Sequence, residues 1–273
     1  QAVYAVPVNE ARGVHYTHST DEGETWAPVS RVFDGVEAGW ARVEAPQLVI
    51  DPQGVMHIIW ARASLSADSV YQSIVYARSE DDGKTWSEPL EVAEGAYVHP
   101  YLASTGTREV HLIYREVGSF SPWWHRRLDI HNAATEGSSA AWSRPERIQA
   151  LSDVTEPIGL TADGAGNLYA VGAFQDEPRA LIVRYTRWDG ESWSLAETQS
   201  FDLEFTALGA AVAVHPRLGR LDLLVGAERQ AAEGEIEAAI WHTSRDVPTV
   251  DPDGYTAETP APTPVSPTPV PTP

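Results

Sequence analysis

The sequence predicts an all-β protein in which small antiparallel sheets of four strands follow one another along the chain. A tryptophan recurs at intervals of 60, 56 and 51 residues. Between these tryptophans lie short runs rich in β-branched and aromatic residues, and Gly, Pro, Asp and Asn separate the runs. The sequence shows no long amphipathic helix pattern. Runs of strand length at a nearly constant period are typical of a chain that builds one sheet per repeat.

The recurring tryptophan marks the same place in each repeat. The four tryptophans are Trp26, Trp86, Trp142 and Trp193. The segments that begin with them are similar: WAPVSRVF, WSEPLEVA, WSRPERIQ and WSLAETQS. An alternating run precedes three of them (GVHYTHS, SIVYARS and LIVRYTR), and a fifth run, AAIWHTS, lacks the tryptophan. We expect each tryptophan to end the hairpin between the third and fourth strands of its repeat.

Two further runs complete each repeat. The first is APQLVID, HPYLAST, EPIGLTAD or FTALGAAVAV, and the second is GVMHIIWAR, REVHLIYRE, GNLYAVGAF or GRLDLLVGAE. Four short strands about every 50 to 60 residues predict the blades of a β-propeller. Strand counting predicts three, four, four, four and three strands over residues 1–255. We therefore expect five recognisable blades, the first and last incomplete, and a sixth if N-terminal sequence is missing.

Two stretches of eight residues, STDEGETW (19–26) and SEDDGKTW (79–86), are nearly identical. Gly23 and Gly83 suit the positive φ of a tight turn. Asp21 and Asp81 can accept backbone N–H bonds within that turn. The tryptophan that follows is large enough to wedge between neighbouring sheets. Because none of these roles involves a substrate, we interpret the repeated stretch as structural.

The pattern S-x-D-x-G-x-T-W resembles the Asp box, or BNR repeat, of sialidases and related propellers. The matching residues are Ser19, Asp21, Gly23, Thr25, Trp26, Ser79, Asp81, Gly83, Thr85 and Trp86. Residues 187–193, RWDGESW, are similar to a copy that is one residue short, and residues 134–142 keep little beyond Gly137 and Trp142. The resemblance covers most of residues 1–255 and implies a sialidase-like propeller.

Composition excludes several classes of partner. The formal net charge is −20 and the isoelectric point is about 4.7. Nucleic acids and anionic membranes attract clustered Lys and Arg, so we expect neither as a partner. The chain has no cysteine, which excludes disulfides, thiol catalysis and Cys-ligated metals. No apolar run approaches the length that spans a bilayer.

The C-terminal segment TAETPAPTPVSPTPVPTP, residues 256–273, differs in composition from the rest. Proline at nearly every second or third position favours an extended polyproline II conformation. We expect a linker or stalk that holds the propeller, residues 1–255, away from a surface. The chain begins at Gln1, which is consistent with a segment removed upstream. Together these features predict an extracellular or cell-surface protein.

Propeller geometry predicts where a ligand would bind. Ligands usually meet the mouth of the central channel, on segments before the first strand and after the second strand of each blade. Three arginines occupy equivalent second-strand ends: Arg62, Arg115 and Arg229. The other residues predicted at this end are Arg42, Glu44, His99, Tyr101, Glu116, Glu156, Asp176, Phe205, Thr206 and Glu228.

The segment EVGSFSPWWHRR, residues 116–127, is predicted to be a long aromatic loop in the third repeat. Trp123, Trp124 and His125 would there stack on a sugar ring, pack on a partner, or cover the edge of a neighbouring blade. All three outcomes stay open at this point.

Nine histidines prompt a search for a metal site. The sequence contains no H-x-x-x-H pattern and no dense run of aspartates. His57 and His111 occupy matching places in second strands, which packing of the repeats explains. We expect no metal and no cofactor, apart from adventitious Ca²⁺ at an Asp-lined turn.

The resemblance to sialidases implies a concrete enzymatic alternative. Such enzymes hold a sugar carboxylate with three arginines, attack through a tyrosine activated by a glutamate, and use an aspartate as acid and base. By position alone, Arg62, Arg115 and Arg229 are candidates for the arginines, Glu156 for the glutamate and Tyr101 for the tyrosine. The R-I-P motif of that family is absent, and no aspartate occupies the expected acid/base position.

Three hypotheses for the function therefore remain. The first is a non-catalytic extracellular propeller that binds a glycan or a cell-surface protein. The second is a sialidase-type exo-glycoside hydrolase. The third is a structural subunit that self-associates through the open edges of its incomplete blades, since unpaired strand edges favour pairing with another chain.

Overall fold

The computed structural model describes most of the chain before residue 248. The described residues are 1–65, 70–95, 97–106, 108–116, 122–136, 141–152, 154, 158–163, 165–176, 180–201, 205–230 and 235–247. The segment 256–273 lies outside this set. The chain divides into two compact units: the first contains residues 1–104 and 108–147, and the second contains residues 105–107 and the chain from residue 148.

The first unit contains three antiparallel sheets in which consecutive strands pair. The first sheet consists of β1 (Ala2–Val6), β2 (Gly13–Thr17) and β3 (Ser30–Asp34). The second consists of β4 (Arg42–Ile50), β5 (Met56–Leu65), β6 (Val70–Ser79) and β7 (Leu90–Glu94). The third consists of β8 (Tyr97–Ser104), β9 (Glu109–Glu116), β10 (Trp123–Asp129) and β11 (Glu146–Arg147). A short helix, α1 (Ile130–Glu136), follows β10.

The second unit contains two antiparallel sheets. The fourth sheet consists of β12 (Ile158–Ala162), β13 (Leu168–Asp176), β14 (Ala180–Trp188) and β15 (Glu197–Phe201). The fifth consists of β16 (Thr206–His215), β17 (Arg220–Gln230) and β18 (Ile236–Asp246). Two 3₁₀ helices span Gln149–Leu151 and Pro216–Leu218.

Within the described residues, the sheets contain three, four, four, four and three strands, the numbers that strand counting gave. Two local features differ from the prediction. The segment 116–127 is not one loop, because β10 begins at Trp123. Trp123 and His125 are two positions apart and point to the same, buried side of the strand, whereas Trp124 between them is partly exposed. Leu128 lies on the side of Trp124 and is buried there. The helix α1 was not predicted, and at seven residues it is too short to show an amphipathic pattern.

The second sheet is apolar on both faces, because successive residues of a strand point to opposite sides. Ile58 and Trp60 of β5 pack with Val14 and Phe33 of the first sheet. Ile59, between them, packs with residues of the third sheet. We call the side that meets the next sheet along the chain the following face and the other side the preceding face.

The second unit repeats this arrangement. The following face of the fourth sheet carries Val171 and Val183, and the preceding face of the fifth sheet carries Leu223 and Val225. These residues form one buried cluster, against which the partly buried Trp241 packs. The apolar alternation in the sequence therefore accounts for the contacts within each unit.

The wedging role predicted for the recurring tryptophans holds at two positions. Trp86 meets the Tyr16 ring edge-on, with ring centroids 5.7 Å apart. Trp142 meets the Tyr76 ring in the same way at 5.4 Å. In both pairs the tyrosine belongs to the sheet before that of the tryptophan, so the indole closes the seam between two sheets.

The same prediction is wrong for Trp26, which is 50 % exposed. The first sheet has no preceding sheet within its unit, so this indole has no tyrosine to pack on. Trp193 packs instead on Trp188 of its own sheet, with ring centroids 5.9 Å apart.

The turn before Trp26 is held by side-chain hydrogen bonds. The Thr25 N–H donates to Asp21 Oδ1 at 2.9 Å, and the Ser19 hydroxyl donates to the same oxygen at 2.7 Å. The Ser19 hydroxyl also accepts the Gly23 N–H at 2.8 Å. The Thr25 hydroxyl also donates to Asp21 Oδ2. The hydrogen bonds to the Asp21 carboxylate, led by that of the Thr25 hydroxyl, lower the pKa of Asp21 to about 2, so the carboxylate stays ionised at neutral pH.

The second copy of the turn has the same bonds, from Thr85 N–H to Asp81 at 2.8 Å and from Gly83 N–H to Ser79 at 2.9 Å. The pKa of Asp81 is likewise lowered to about 2. Both glycines have positive φ, +96° at Gly23 and +79° at Gly83. Glu22 and Asp82, directly before them, also adopt positive φ of 59°.

One backbone bond is common to all four tryptophan turns, including those in which the sequence pattern has decayed. The residue after each tryptophan donates its N–H to a carbonyl at the end of the third strand. The pairs are Ala27 to His18 at 2.8 Å, Ser87 to Arg78 at 2.8 Å, Ser143 to Arg127 at 2.7 Å and Ser194 to Arg187 at 2.8 Å. The hairpin geometry is therefore kept even where the aspartate is lost.

The two turn glycines provide a matched test of the seam between the first and second sheets. Alanine at either position is strained by the positive φ, which costs about 1–2 kcal/mol. A Cβ on Gly83 would also lie 2.8 Å from Tyr16 Cδ1, whereas a Cβ on Gly23 meets nothing within 4 Å. We expect Gly83→Ala to lower the free energy of unfolding by about 1–3 kcal/mol more than Gly23→Ala, measured by chemical denaturation. Equal losses would contradict the packing of Tyr16 on this turn.

Candidate functional site

Most of the residues that the sequence predicted to bind a ligand lie at the ends of strands. Arg42 and Glu44 are in β4 and form an exposed ion pair at 2.7 Å. The side chains of His99 and Asp176, and the whole of Glu156, lie outside the described part of the chain.

Arg62 is held by groups of its own unit. Its Nε donates to Ser73 Oγ at 3.0 Å and its Nη2 donates to Glu91 Oε2 at 2.9 Å. Its guanidinium also stacks over the Trp40 ring, 3.9 Å from the centroid. Ser73, Glu91 and Trp40 thus fix the orientation of this guanidinium, and Glu91 balances its charge.

Arg229 has the same kind of partners in the second unit. Its Nε donates to Glu237 Oε2 at 2.7 Å, and its guanidinium lies 4.8 Å from the centroid of the Phe205 ring. Arg115 is only 7 % exposed and lies opposite Trp123 in the register of β9 and β10. Arg62 and Arg229 are thus each neutralised by a nearby glutamate, and Arg115 is buried.

The aromatic residues of β10 differ in their exposure. Trp123 is 1 % exposed and packs against Tyr101, with ring centroids 6.0 Å apart. His125 is also 1 % exposed and contacts His111, with 2.9 Å between Nε2 and Nδ1. The strand turns Trp123 and His125 inward, which among the three outcomes left open for them favours packing within the sheets. Trp124 points the other way and remains partly exposed.

Trp124 lines a groove of about 300 Å³ within the first unit. The groove lies between β7 of the second sheet and β9 and β10 of the third sheet. Its walls include Val92, Glu94, Tyr114, Glu116, Trp124 and Arg126. Glu116 and Trp124 were predicted from the sequence as ligand-binding residues. Glu94 was missed because it ends a fourth strand, and Arg126 was missed because its segment was taken for a loop.

Hydrogen bonds fix the orientation of the groove side chains. The Trp124 indole N–H donates to Glu116 Oε1 at 3.1 Å. Arg126 donates from Nε to the Ser143 carbonyl at 2.7 Å and from Nη1 to the Val92 carbonyl. Arg126 therefore joins the third sheet to the backbone of β7.

The carboxylates of Glu94 and Glu116 and the Tyr114 hydroxyl are the other polar groups of the groove. Burial raises the pKa of Tyr114 to about 12, Glu116 adds to this and Arg126 opposes it. The Tyr114 hydroxyl is thus protonated at neutral pH and can donate a hydrogen bond. The groove combines an oriented indole, two acidic side chains and a phenol.

Buried histidines occupy matching positions of the second strands, as predicted. His57 Nδ1 lies 2.8 Å from the Tyr76 hydroxyl and its Nε2 lies 3.1 Å from Asp51 Oδ2. In the fourth sheet, the Tyr169 hydroxyl donates to Asp163 Oδ2 at 2.9 Å. These contacts lie inside the packed sheets, so we assign them to the scaffold. In the described ranges, no group of three or more His, Asp or Glu side chains is placed to hold a metal ion.

Among the residues described here, α1 is the only α-helix, and its seven residues are far too few to cross a membrane.

No family model matches the sequence, and no curated protein matches it. Solved structures resemble it in fold. An intramolecular trans-sialidase from leech matches with a TM-score of 0.52 and 13 % identity, covering 79 % of this chain and 33 % of the leech chain. The NanB sialidase from Streptococcus pneumoniae matches with a TM-score of 0.51 and 13 % identity, covering 83 % of this chain and 34 % of that one.

A protein of unknown function from Dyadobacter fermentans matches with a TM-score of 0.50 and 15 % identity, covering 85 % of this chain and 69 % of that one. This chain spans about a third of the length of the two sialidases. At these identities the similarity concerns the fold alone. The chain has an all-β, sialidase-like propeller fold built from antiparallel sheets.

The buried pair His111 and His125 predicts a pH-dependent stability. Burial lowers the pKa of His111 to about 3 and that of His125 well below 6.5, and Arg127 lowers both further. Below about pH 6.5 the unfolded chain binds protons that the folded chain excludes, so the free energy of unfolding falls as the pH decreases. Each histidine contributes a slope that approaches about 1.4 kcal/mol per pH unit.

Between about pH 6 and pH 4.5, we expect His111→Gln to reduce this slope by about the contribution of one histidine. Chemical denaturation at each pH is the measurement. His131→Gln, at an exposed position of α1, is the control for the loss of a histidine as such. An unchanged slope in His111→Gln would contradict the exclusion of protons from this pair.

Proposed function

We propose that this chain is a non-catalytic propeller that binds neutral glycans in the groove between β7 and the strands β9 and β10. The observation that carries the proposal is the partly exposed Trp124, whose indole is oriented by the bond from its N–H to Glu116. A sugar presents an apolar face and a rim of hydroxyls. An oriented aromatic ring beside hydrogen-bond acceptors complements both.

The indole is suited to stacking because its position is set before a ligand arrives. Trp124 packs on the buried cluster between the second and third sheets while part of its ring faces the groove. The hydrogen bond to Glu116 restricts its rotation. A preorganised side chain loses little conformational entropy on binding, which increases affinity.

The polar groups of the groove favour neutral sugars. The carboxylates of Glu94 and Glu116 can accept hydrogen bonds from sugar hydroxyls. Arg126, the basic residue among the groove residues named above, donates to two backbone carbonyls. An acidic sugar would place its carboxylate near two glutamates, and this repulsion disfavours it.

The arginines support a binding role over the alternative of a sialidase-type hydrolase. That chemistry needs guanidinium groups available to a sugar carboxylate. Arg62 is bonded to Glu91, and Arg229 is bonded to Glu237. Tyr101, the candidate nucleophile, packs its ring against the buried Trp123. Contacts of this kind stabilise the fold.

Two further features support glycans as the ligand class and an extracellular setting. Two of the proteins with similar folds are named as sialidases, which are enzymes of glycans. The Pro- and Thr-rich segment 256–273 has the composition of a stalk that displays a domain outside the cell, where glycans are abundant.

The groove can be tested with one tryptophan substitution. We expect the chain to bind neutral oligosaccharides on a glycan array, with the hit then titrated in solution by isothermal calorimetry. Trp124→Ala should weaken that binding by at least about tenfold, because truncating a central aromatic side chain typically costs 1.4 kcal/mol or more. Trp26→Ala removes another partly exposed indole of the same unit and should bind as the parent chain does. Equal affinity for the parent and Trp124→Ala would exclude this groove.

Catalysis is tested separately with a fluorogenic sialoside. We expect no hydrolysis above background, because Arg62 and Arg229 are already paired with glutamates. Turnover by the parent chain that is lost in Arg115→Ala and in Arg229→Ala would establish the hydrolase alternative instead. Fluorescence release over time is the measurement, and a secreted sialidase is the positive control.

A further inference from the structure

We propose that Arg126 is a positioning residue of the groove, because it holds β7, the strand of Glu94, in place relative to Trp124 of β10. This role rests on the glycan binding proposed above and does not require Arg126 to touch the sugar. It follows from a difference between the third sheet and two other sheets at a single position of the repeat.

In the first and fourth sheets this position is a threonine that holds the tryptophan turn. Its hydroxyl donates to the carbonyl of the residue directly after the tryptophan. The bonds run from Thr17 to Ala27 at 2.7 Å and from Thr186 to Ser194 at 2.9 Å. In the third sheet the corresponding residue is Arg126, and its Nε donates to the carbonyl of Ser143, directly after Trp142, at 2.7 Å. Arg126 therefore takes over the structural bond of the threonine.

Arg126 also makes a second bond, which the shorter threonine side chain could not reach. Its Nη1 donates to the carbonyl of Val92 in β7, the outer strand of the second sheet. The guanidinium carbon lies 5.8 Å from the centroid of the Trp142 ring, which closes the same seam on Tyr76. One side chain thus spans the seam between the second and third sheets, and both Arg126 and Val92 line the groove.

The carbonyl that Arg126 holds belongs to an irregular residue of β7. Consecutive residues of β6 lie opposite Ala93 and Glu91, so Val92 faces no partner residue in this register. A bulge of this kind interrupts the hydrogen-bond ladder, and backbone groups near it need other partners. The charged guanidinium is a strong donor for such a carbonyl. The bond fixes β7 two residues before Glu94.

Glu94 and Trp124 belong to different sheets, so their separation depends on contacts across the seam. Glu116 orients Trp124 within the third sheet, and Arg126 connects that sheet to the backbone of β7. Both walls of the groove are therefore set before a ligand arrives. A site ordered in advance loses less conformational freedom on binding, which increases affinity.

Arg126→Thr is the matched substitution, because it introduces the residue that the first and fourth sheets have at this position. It should keep the bond to the Ser143 carbonyl and remove the bond to the Val92 carbonyl. The Val92 side chain stays packed in the buried cluster of the seam, so the variant should fold, which circular dichroism verifies. Arg108→Thr is the control, since it removes an arginine of the same unit that is 68 % exposed and lies outside the groove.

Hydrogen exchange followed by mass spectrometry tests the hold on β7 without a ligand. We expect the amides of Leu90–Glu94 to exchange at least about threefold faster in Arg126→Thr than in the parent chain, because loss of a tertiary bond makes local opening easier. Arg108→Thr should exchange as the parent chain does. Unchanged exchange in Arg126→Thr would overturn the proposal, whatever the chain binds.

Isothermal calorimetry with the neutral oligosaccharide selected on the glycan array tests the effect on binding. Ordering one side chain on binding corresponds to a factor of about 2 to 12 in affinity. We expect Arg126→Thr to weaken binding by about fivefold and Arg108→Thr to leave it unchanged. In a chain that already carries Glu94→Gln, adding Arg126→Thr should weaken binding little further, because Arg126 acts through Glu94.

The outcomes separate this role from the proposed function. A parent chain that binds the oligosaccharide and an Arg126→Thr chain that binds it equally well would overturn the positioning role and leave the groove in place. An equal loss with and without Glu94→Gln would show that Arg126 does not act through Glu94, which also overturns this role. A parent chain that binds no neutral oligosaccharide would overturn the proposed function, and the positioning role with it.

Discussion

The structure depends on one constraint: a strand with apolar residues at consecutive positions must be covered on both faces. Ile58 and Ile59 of β5 are neighbours in sequence, point to opposite sides and are both 0 % exposed. Burying each such side chain contributes about 1.5–3 kcal/mol, which an isolated sheet could not gain on either side. A sheet of this composition is therefore stable only between two others. The repeat in the sequence is the consequence of this requirement.

Between neighbouring sheets, the contact on a tyrosine ring recurs even where the residue that makes it differs. In the second and third sheets a tryptophan closes the seam on Tyr16 or Tyr76. The fifth sheet has no such tryptophan, but the Arg245 guanidinium lies 4.0 Å from the centroid of the Tyr185 ring. Arg245 also donates twice to Glu197, at 2.8 and 3.1 Å. A planar cation held by a carboxylate replaces the indole, because both cover the face or edge of a tyrosine.

Much of the fold could be predicted from the sequence because it depends on local signals. Strand period, turn residues and the spacing of the tryptophans correctly predicted the number of strands in every sheet. The predictions that failed concern which other residues a side chain packs against. Trp26 has the same local sequence as Trp86, but it lacks a sheet to pack on. The groove could be predicted only in part, since Glu94 and Trp124 come from different sheets and no local pattern connects them.

The groove occurs where the repeat departs from regularity. The last strands of the first, second and fourth sheets, β3, β7 and β15, each have five residues, whereas β11, the last strand of the third sheet, has two. The short outer strand β11 pairs with β10 only at Trp124 and His125, and beyond them an isolated bridge joins Leu128 to Trp142. The side chains at the regular positions of the repeat pack against other sheets. Surface available to a ligand therefore arises where the outer strand is shortened.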